Sequence, residues 1–83
     1  MVYEGQPVHL GPTEFRLLSY LMEHPRQVFS RVQLLDTVWG EDVYIEERTV
    51  DVHIRRLRKA LGSVSSQLEA MIHTVRSVGY KLE

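Results

Sequence analysis

The sequence predicts an α+β fold: a small N-terminal antiparallel β segment, three helices and a C-terminal β-hairpin. Three observations predict it. β-rich residues flank turn signals at both ends of the chain, in "MVYEGQPVHL" and "MIHTVRSVGYKLE". Between these ends lie three stretches with apolar residues at helical spacing. Pro25, Gly40 and the Gly/Ser stretch "GSVSSQ" then separate the elements from one another. A chain of 83 residues with 43% apolar content suits one domain around one small core.

The opening stretch turns around Gly5-Gln6-Pro7 and reads as a hairpin, beginning abruptly as if a larger sheet had been cut. "GPTEFRLLSYLMEHP" reads as the first helix. Gly11 serves as N-cap and Pro12 occupies the first turn, where its missing N–H has no intrahelical partner to lose. Glu14 sits in the favourable first turn. Phe15, Leu18, Leu21 and Met22 follow helical spacing, Leu17 widens the stripe, and Pro25 ends it. "QVFS" is a link or bridge strand. In "SRVQLLDTVWG", Ser30 and Gln33 form a capping box, Leu34, Leu35 and Val38 make an apolar face, and Gly40 stops the helix. The third helix spans about 46–61, followed by a loop over 62–70. The closing stretch folds back around "RSVG", with Gly79 supplying a positive φ near the turn.

Charge is informative by segment. The net charge is −1, yet residues 48–59 hold Arg48, Arg55, Arg56, Arg58 and Lys59 against Asp51 alone. The remainder holds five basic and ten acidic residues. At about 100° per residue, Ile54, Leu57 and Leu61 fall within about 40° of Val50, an apolar seam. Arg48, Val52, Arg55 and Lys59 lie opposite, with Thr49 and Arg56 beside them. Asp51 and Arg58 flank the seam on one side and His53 on the other; Asp51 can pair with Arg55 one turn on. A helix with one apolar seam and one basic face fits the major groove of duplex DNA, about 12 Å wide. A merely solvated face, a calmodulin target and a membrane-surface helix share the pattern. The narrow seam, needed for the core, argues against the membrane.

Other classes find little support. No run approaches the ~18 apolar residues of a membrane span, and the first residues lack the basic-then-apolar pattern of a signal peptide. Without cysteine there is no disulfide framework or thiolate metal site; an intracellular protein fits. His9, His24, His53 and His73 fall on four elements without metal-ligand spacing, and no phosphate loop or nucleophile elbow appears. Neither catalytic residue, cofactor nor metal is expected. Three helices followed by a β-hairpin is the order of a winged helix-turn-helix. Arg76 then lies in the turn of the wing, placed to reach a minor groove or a phosphate. A winged helix that binds protein and no longer DNA is the other reading; retention of the outward arginines favours DNA.

"PTEFRLLSYLMEHP", "SRVQLLDTVWG", "RTVDVHIRRLRKAL" and "TVRSVGYKL", in this order, resemble the OmpR/PhoB-type effector domains of two-component response regulators. Within that family, "VYIEERTVDVHIRRLRKAL" is most similar to the activators of phosphate-starvation genes. The resemblance implies sequence-specific duplex DNA binding, by two domains head-to-tail on direct repeats, in the bacterial cytoplasm. It implies base contacts from Thr49, Asp51, Val52 and Arg56 in the major groove and Arg76 in the minor groove. It implies backbone contacts from Arg31, Trp39, Gly40, Arg48, His53, Arg55, Arg58, Thr74 and Tyr80. The loop Glu41, Asp42, Val43, Tyr44, Ile45, Glu46 and Glu47 matches the segment that meets the sigma subunit of RNA polymerase. A larger N-terminal sheet, a receiver domain and a cognate histidine kinase are implied as well; residues 1–83 then correspond to the effector domain alone. Ser77 departs from the glycine usual after the wing arginine, and the loop 62–70 departs in length and composition.

Overall fold

The structure, a computed structural model, describes residues 2–40 and 45–83. Strands β1 (Val2–Tyr3) and β2 (Gln6–Pro7) pair antiparallel, with Tyr3 opposite Gln6. The turn is Glu4-Gly5, whose φ angles are both positive, so Gln6 and Pro7 belong to the strand and not to the turn as expected. Helix α1 (Pro12–Glu23) starts behind Gly11, with Pro12 in its first turn. Strand β3 (Phe29–Ser30) leads directly into α2 (Arg31–Leu34). There Ser30 accepts from the Gln33 N–H, and the Gln33 side chain accepts from the Ser30 N–H: both halves of the capping box are present.

Beyond Leu34 the helix widens into a π-helical turn, Leu35–Trp39, closed by a 3.0 Å bond from the Gly40 N–H to the Leu35 carbonyl. Gly40, at φ 100°, then ends it. Helix α3 is Arg48–Gly62, starting two residues later than expected. The loop that follows contains a short helix α4 (Ser66–Ala70), which the sequence reading missed; Ser65 caps it by accepting from the Gln67 N–H. Strands β4 (Ile72–Val75) and β5 (Gly79–Leu82) form the C-terminal hairpin, and β3 pairs with the other edge of β5, giving the order β3-β5-β4.

One core holds these pieces together. The seam of α3 is buried as expected: Val50, Ile54, Leu57 and Leu61 are at most 2% exposed. They meet Leu17, Leu18 and Leu21 of α1, Leu34 and Val38 of the α2 segment, and Phe29, Ile72, Tyr80 and Leu82 of the sheet. Each such aliphatic side chain contributes about 1.5–3 kcal/mol on burial. The stripe on α1 differs from expectation. Phe15 is 48% and Met22 54% exposed, while Glu14 is buried at 8%. The angles explain it: taking Glu14 as zero, Leu18, Leu21 and Leu17 lie at about 40°, −20° and −60°, but Phe15 and Met22 lie at about 100° and 80°. The covered face of α1 is centred on an acid.

Gly79 has no positive φ; Ser77, at 64°, carries the left-handed turn conformation instead. That costs a side-chain-bearing residue about 1 kcal/mol, which is the reason glycine suits this place. Gly79 is required for another reason. A Cβ there would collide with the Phe29 carbonyl and crowd Ser30, so the β3–β5 pairing leaves room only for hydrogen.

Candidate nucleic-acid interface

The outward face of α3 is assembled as the angles foresee. Arg48, Arg55, Arg56 and Lys59 are exposed, Val52 is 43% exposed, and Thr49 is half-buried beside them. Arg48 pairs with Glu46 at 2.6 Å, both largely in solvent, a contact of little energetic weight. Among the described residues, Arg55, Arg56, Lys59 and the wing's Arg76 form no ion pair. Arg76 is exposed in the turn that closes with a 3.0 Å bond from the Val78 N–H to the Val75 carbonyl.

The residues flanking the seam are occupied within the protein. Oδ1 of Asp51 accepts from Arg31 Nε at 2.7 Å and from the Tyr80 hydroxyl; Asp51 is not ion-paired with Arg55. One oxygen thus ties α2, α3 and β5 together. Burial pushes the Asp51 carboxyl up, but the Tyr80 hydroxyl and the Arg31 guanidinium outweigh it and hold it below the ordinary aspartate value. The Arg31 guanidinium is raised by its bond to Asp51. Burial raises the Tyr80 phenol, and the Asp51 carboxylate raises it further. On the same side of α3, Arg58 Nη2 donates to the Ile72 carbonyl at 3.1 Å and to Thr74 Oγ1 at 2.7 Å. The guanidinium carbons of Arg31 and Arg58 stand 5.9 and 5.8 Å from the Tyr80 ring centre. Tyr80, Thr74, Arg31 and Arg58, all expected at the DNA backbone, therefore come together as a brace between the wing and the helices.

On the other flank, His53 Nδ1 bonds Glu14 of α1, and the Trp39 ring meets the imidazole edge-on at 5.3 Å. Trp39 and Gly40 are half-buried at the end of the α2 segment. Sequence reasoning missed Glu14 as part of this site. Its signal was an acid at the centre of an apolar helix face, a position that demands a partner. Of the loop matched to polymerase contact, Ile45 is half-buried and Glu46 and Glu47 are exposed; Glu41, Asp42, Val43 and Tyr44 lie outside the described residues. Among the described residues no helix is long and apolar enough to cross a membrane, and no acid–histidine cluster could hold a metal ion.

Residues 5–82 match the family model described as "Transcriptional regulatory protein, C terminal". The chain belongs to this family, the C-terminal DNA-binding domains of OmpR/PhoB-type response regulators. Its relatives include the phosphate regulon transcriptional regulatory protein PhoB of Rhizobium meliloti, 63% identical over 95% of this chain and 34% of that protein. The PhoB of Pseudomonas aeruginosa is 58% identical over 94% of this chain and 33% of that protein. The chain thus spans about a third of the length of these relatives. Among solved structures, the Klebsiella pneumoniae RstA DNA-binding domain in complex with the RstA box superposes with a TM-score of 0.77. It is 36% identical, over 94% of this chain and 76% of that one. OmpR/PhoB-type domains are transcription-factor modules and not enzymes.

Proposed function

We propose that this domain binds duplex DNA with α3 in the major groove and Arg76 in the minor groove. The observation that carries the reading is the outward face of α3, whose Arg55, Arg56 and Lys59 are exposed and without ion pairs among the described residues, beside an equally unpaired wing arginine. Thr49, Val52 and Arg56 face base edges: Arg56 suits a guanine, and Val52 a thymine methyl. Asp51 reaches a base through Oδ2, because Oδ1 already takes both internal bonds. Arg48, Arg55, His53, Trp39 and Gly40 line the phosphates, with Arg31, Arg58, Thr74 and Tyr80 at the joint between helix and wing. The likeness to the RstA domain, solved on its DNA box, supports this docking.

The identity with two PhoB proteins supports a role in the cytoplasm of a bacterium as activator of phosphate-regulon genes. Two such domains sit head-to-tail on direct repeats. The acidic loop 41–47 meets the sigma subunit of RNA polymerase, and a receiver domain answering a histidine kinase governs the full-length protein. The primary test is the affinity for duplexes selected from a random pool, measured against salt. Each phosphate contact contributes about 0.9 to the slope of log affinity on log salt, so a slope of several units is expected. A slope near zero overturns the DNA reading.

A further inference from the structure

We propose that Glu14 is a positioning residue for DNA binding: it orients His53 and balances the second proton that the imidazole carries when Nε2 donates to a DNA phosphate. The proposal rests on the DNA-binding reading above. It begins from a carboxylate where a carboxylate is costly. Glu14 is 8% exposed, in the middle of the apolar face of α1. Acids are seldom buried without a partner. Oε1 is taken by His53 Nδ1. Oε2 packs against Gly11, where a Cβ would collide with it. Both oxygens are confined, and so is the ring they hold.

The bond fixes the chemistry of the other nitrogen. A carboxylate accepts, so Nδ1 carries a proton. In the neutral ring Nε2 is then an acceptor only, and its lone pair faces a phosphate oxygen unfavourably. Nε2 donates to a phosphate only when the ring is an imidazolium. Nε2 has no hydrogen-bond partner among the described residues. A cation there stands between two anions, Glu14 within and the phosphate outside. The inner anion offsets the cost of charging a side chain that is 17% exposed.

Among the described residues, few other charges face the ring. Among the described residues, Glu14 approaches from α1 and the uncharged Trp39 indole from the end of the α2 segment. On α3 itself Arg56 lies one turn on, exposed, and opposes the second proton weakly. Asp51, on the opposite flank of the seam, belongs to the wing brace. Binding therefore favours the ring protonated on both nitrogens, so affinity rises as pH falls.

The test measures affinity for a random-sequence duplex at fixed salt between pH 6 and pH 8, because a phosphate contact is indifferent to sequence. The wild-type domain should weaken by about tenfold across that range. His53→Gln should flatten the profile, since its amide nitrogen stands near the place of Nε2 and donates at every pH. Glu14→Gln should bind more weakly and need a lower pH to recover, yet add nothing in the His53→Gln background. Glu14→Asp, which keeps the charge but draws it back, should fall between wild type and Glu14→Gln. A flat wild-type profile with the salt slope intact overturns this proposal alone. So does an equal loss from Glu14→Gln in both backgrounds, which would mark Glu14 as support for the fold. Loss of the salt slope itself overturns the DNA reading beneath it.

Discussion

Arg56 and Asp51 stand five residues apart on one helix, and their surroundings divide them. Arg56 is exposed and forms no ion pair among the described residues. Asp51 has its Oδ1 filled by Arg31 and Tyr80. Arg56→Ala should cost about 1–3 kcal/mol of binding and relax base preference at one position, read by repeating duplex selection with the variant. Equal loss on selected and random DNA would show a phosphate contact only. Single residues also mark where local reading stops. Gly79 looks from sequence like a turn glycine, but its constraint is a neighbouring strand, Phe29–Ser30, some fifty residues earlier in the chain. No window of sequence contains that collision. Asp51 is similar: Arg55 is the partner that spacing suggests, and the carboxylate takes two partners that only the tertiary fold delivers.

At the scale of elements, the wing is attached to α3 through side chains more than through backbone. Removing the Tyr80 hydroxyl by Tyr80→Phe leaves Asp51 with Arg31 alone. The expected loss is about 1 kcal/mol, given partial exposure, or roughly 4–8 °C in Tm by thermal denaturation. An unchanged Tm would mean that the brace adds no stability. The Asp51 carboxyl is held below its ordinary value in the fold. Its contribution is thus complete above about pH 4 and is lost as pH falls further, which acid denaturation of wild type and Asp51→Asn should separate. The elements themselves were largely legible. The α3 seam, the Ser30 capping box and the proline start of α1 follow from local physics, and the structure reproduces them. The π-helical turn, α4 and the exposure of Phe15 and Met22 were not legible, because neighbours decide how wide a helix face is covered. The basic face was readable from angles alone; the brace behind it, and Glu14 within it, required the assembled core.

The whole molecule keeps its signs apart. Cations gather on one face of α3 and the wing, and the remainder is acidic. Net charge therefore says little about what this surface attracts, since a duplex meets one face and not a total. Glu47, exposed just before α3, lies in the segment proposed to meet polymerase. Glu47→Lys should leave DNA affinity equal or slightly tighter while lowering activation in transcription with purified polymerase. Activation that falls only in step with affinity would remove the polymerase role.

The edge-on contact of Trp39 with His53 has a practical consequence. Trp39 is the one tryptophan in the sequence. Its fluorescence therefore comes from a single known place, against the ring whose charge is at issue. An imidazolium quenches a neighbouring indole more effectively than the neutral ring does, because it more readily accepts an electron from the excited indole. Trp39 emission thus offers an unlabelled readout of the His53 charge proposed to accompany DNA binding.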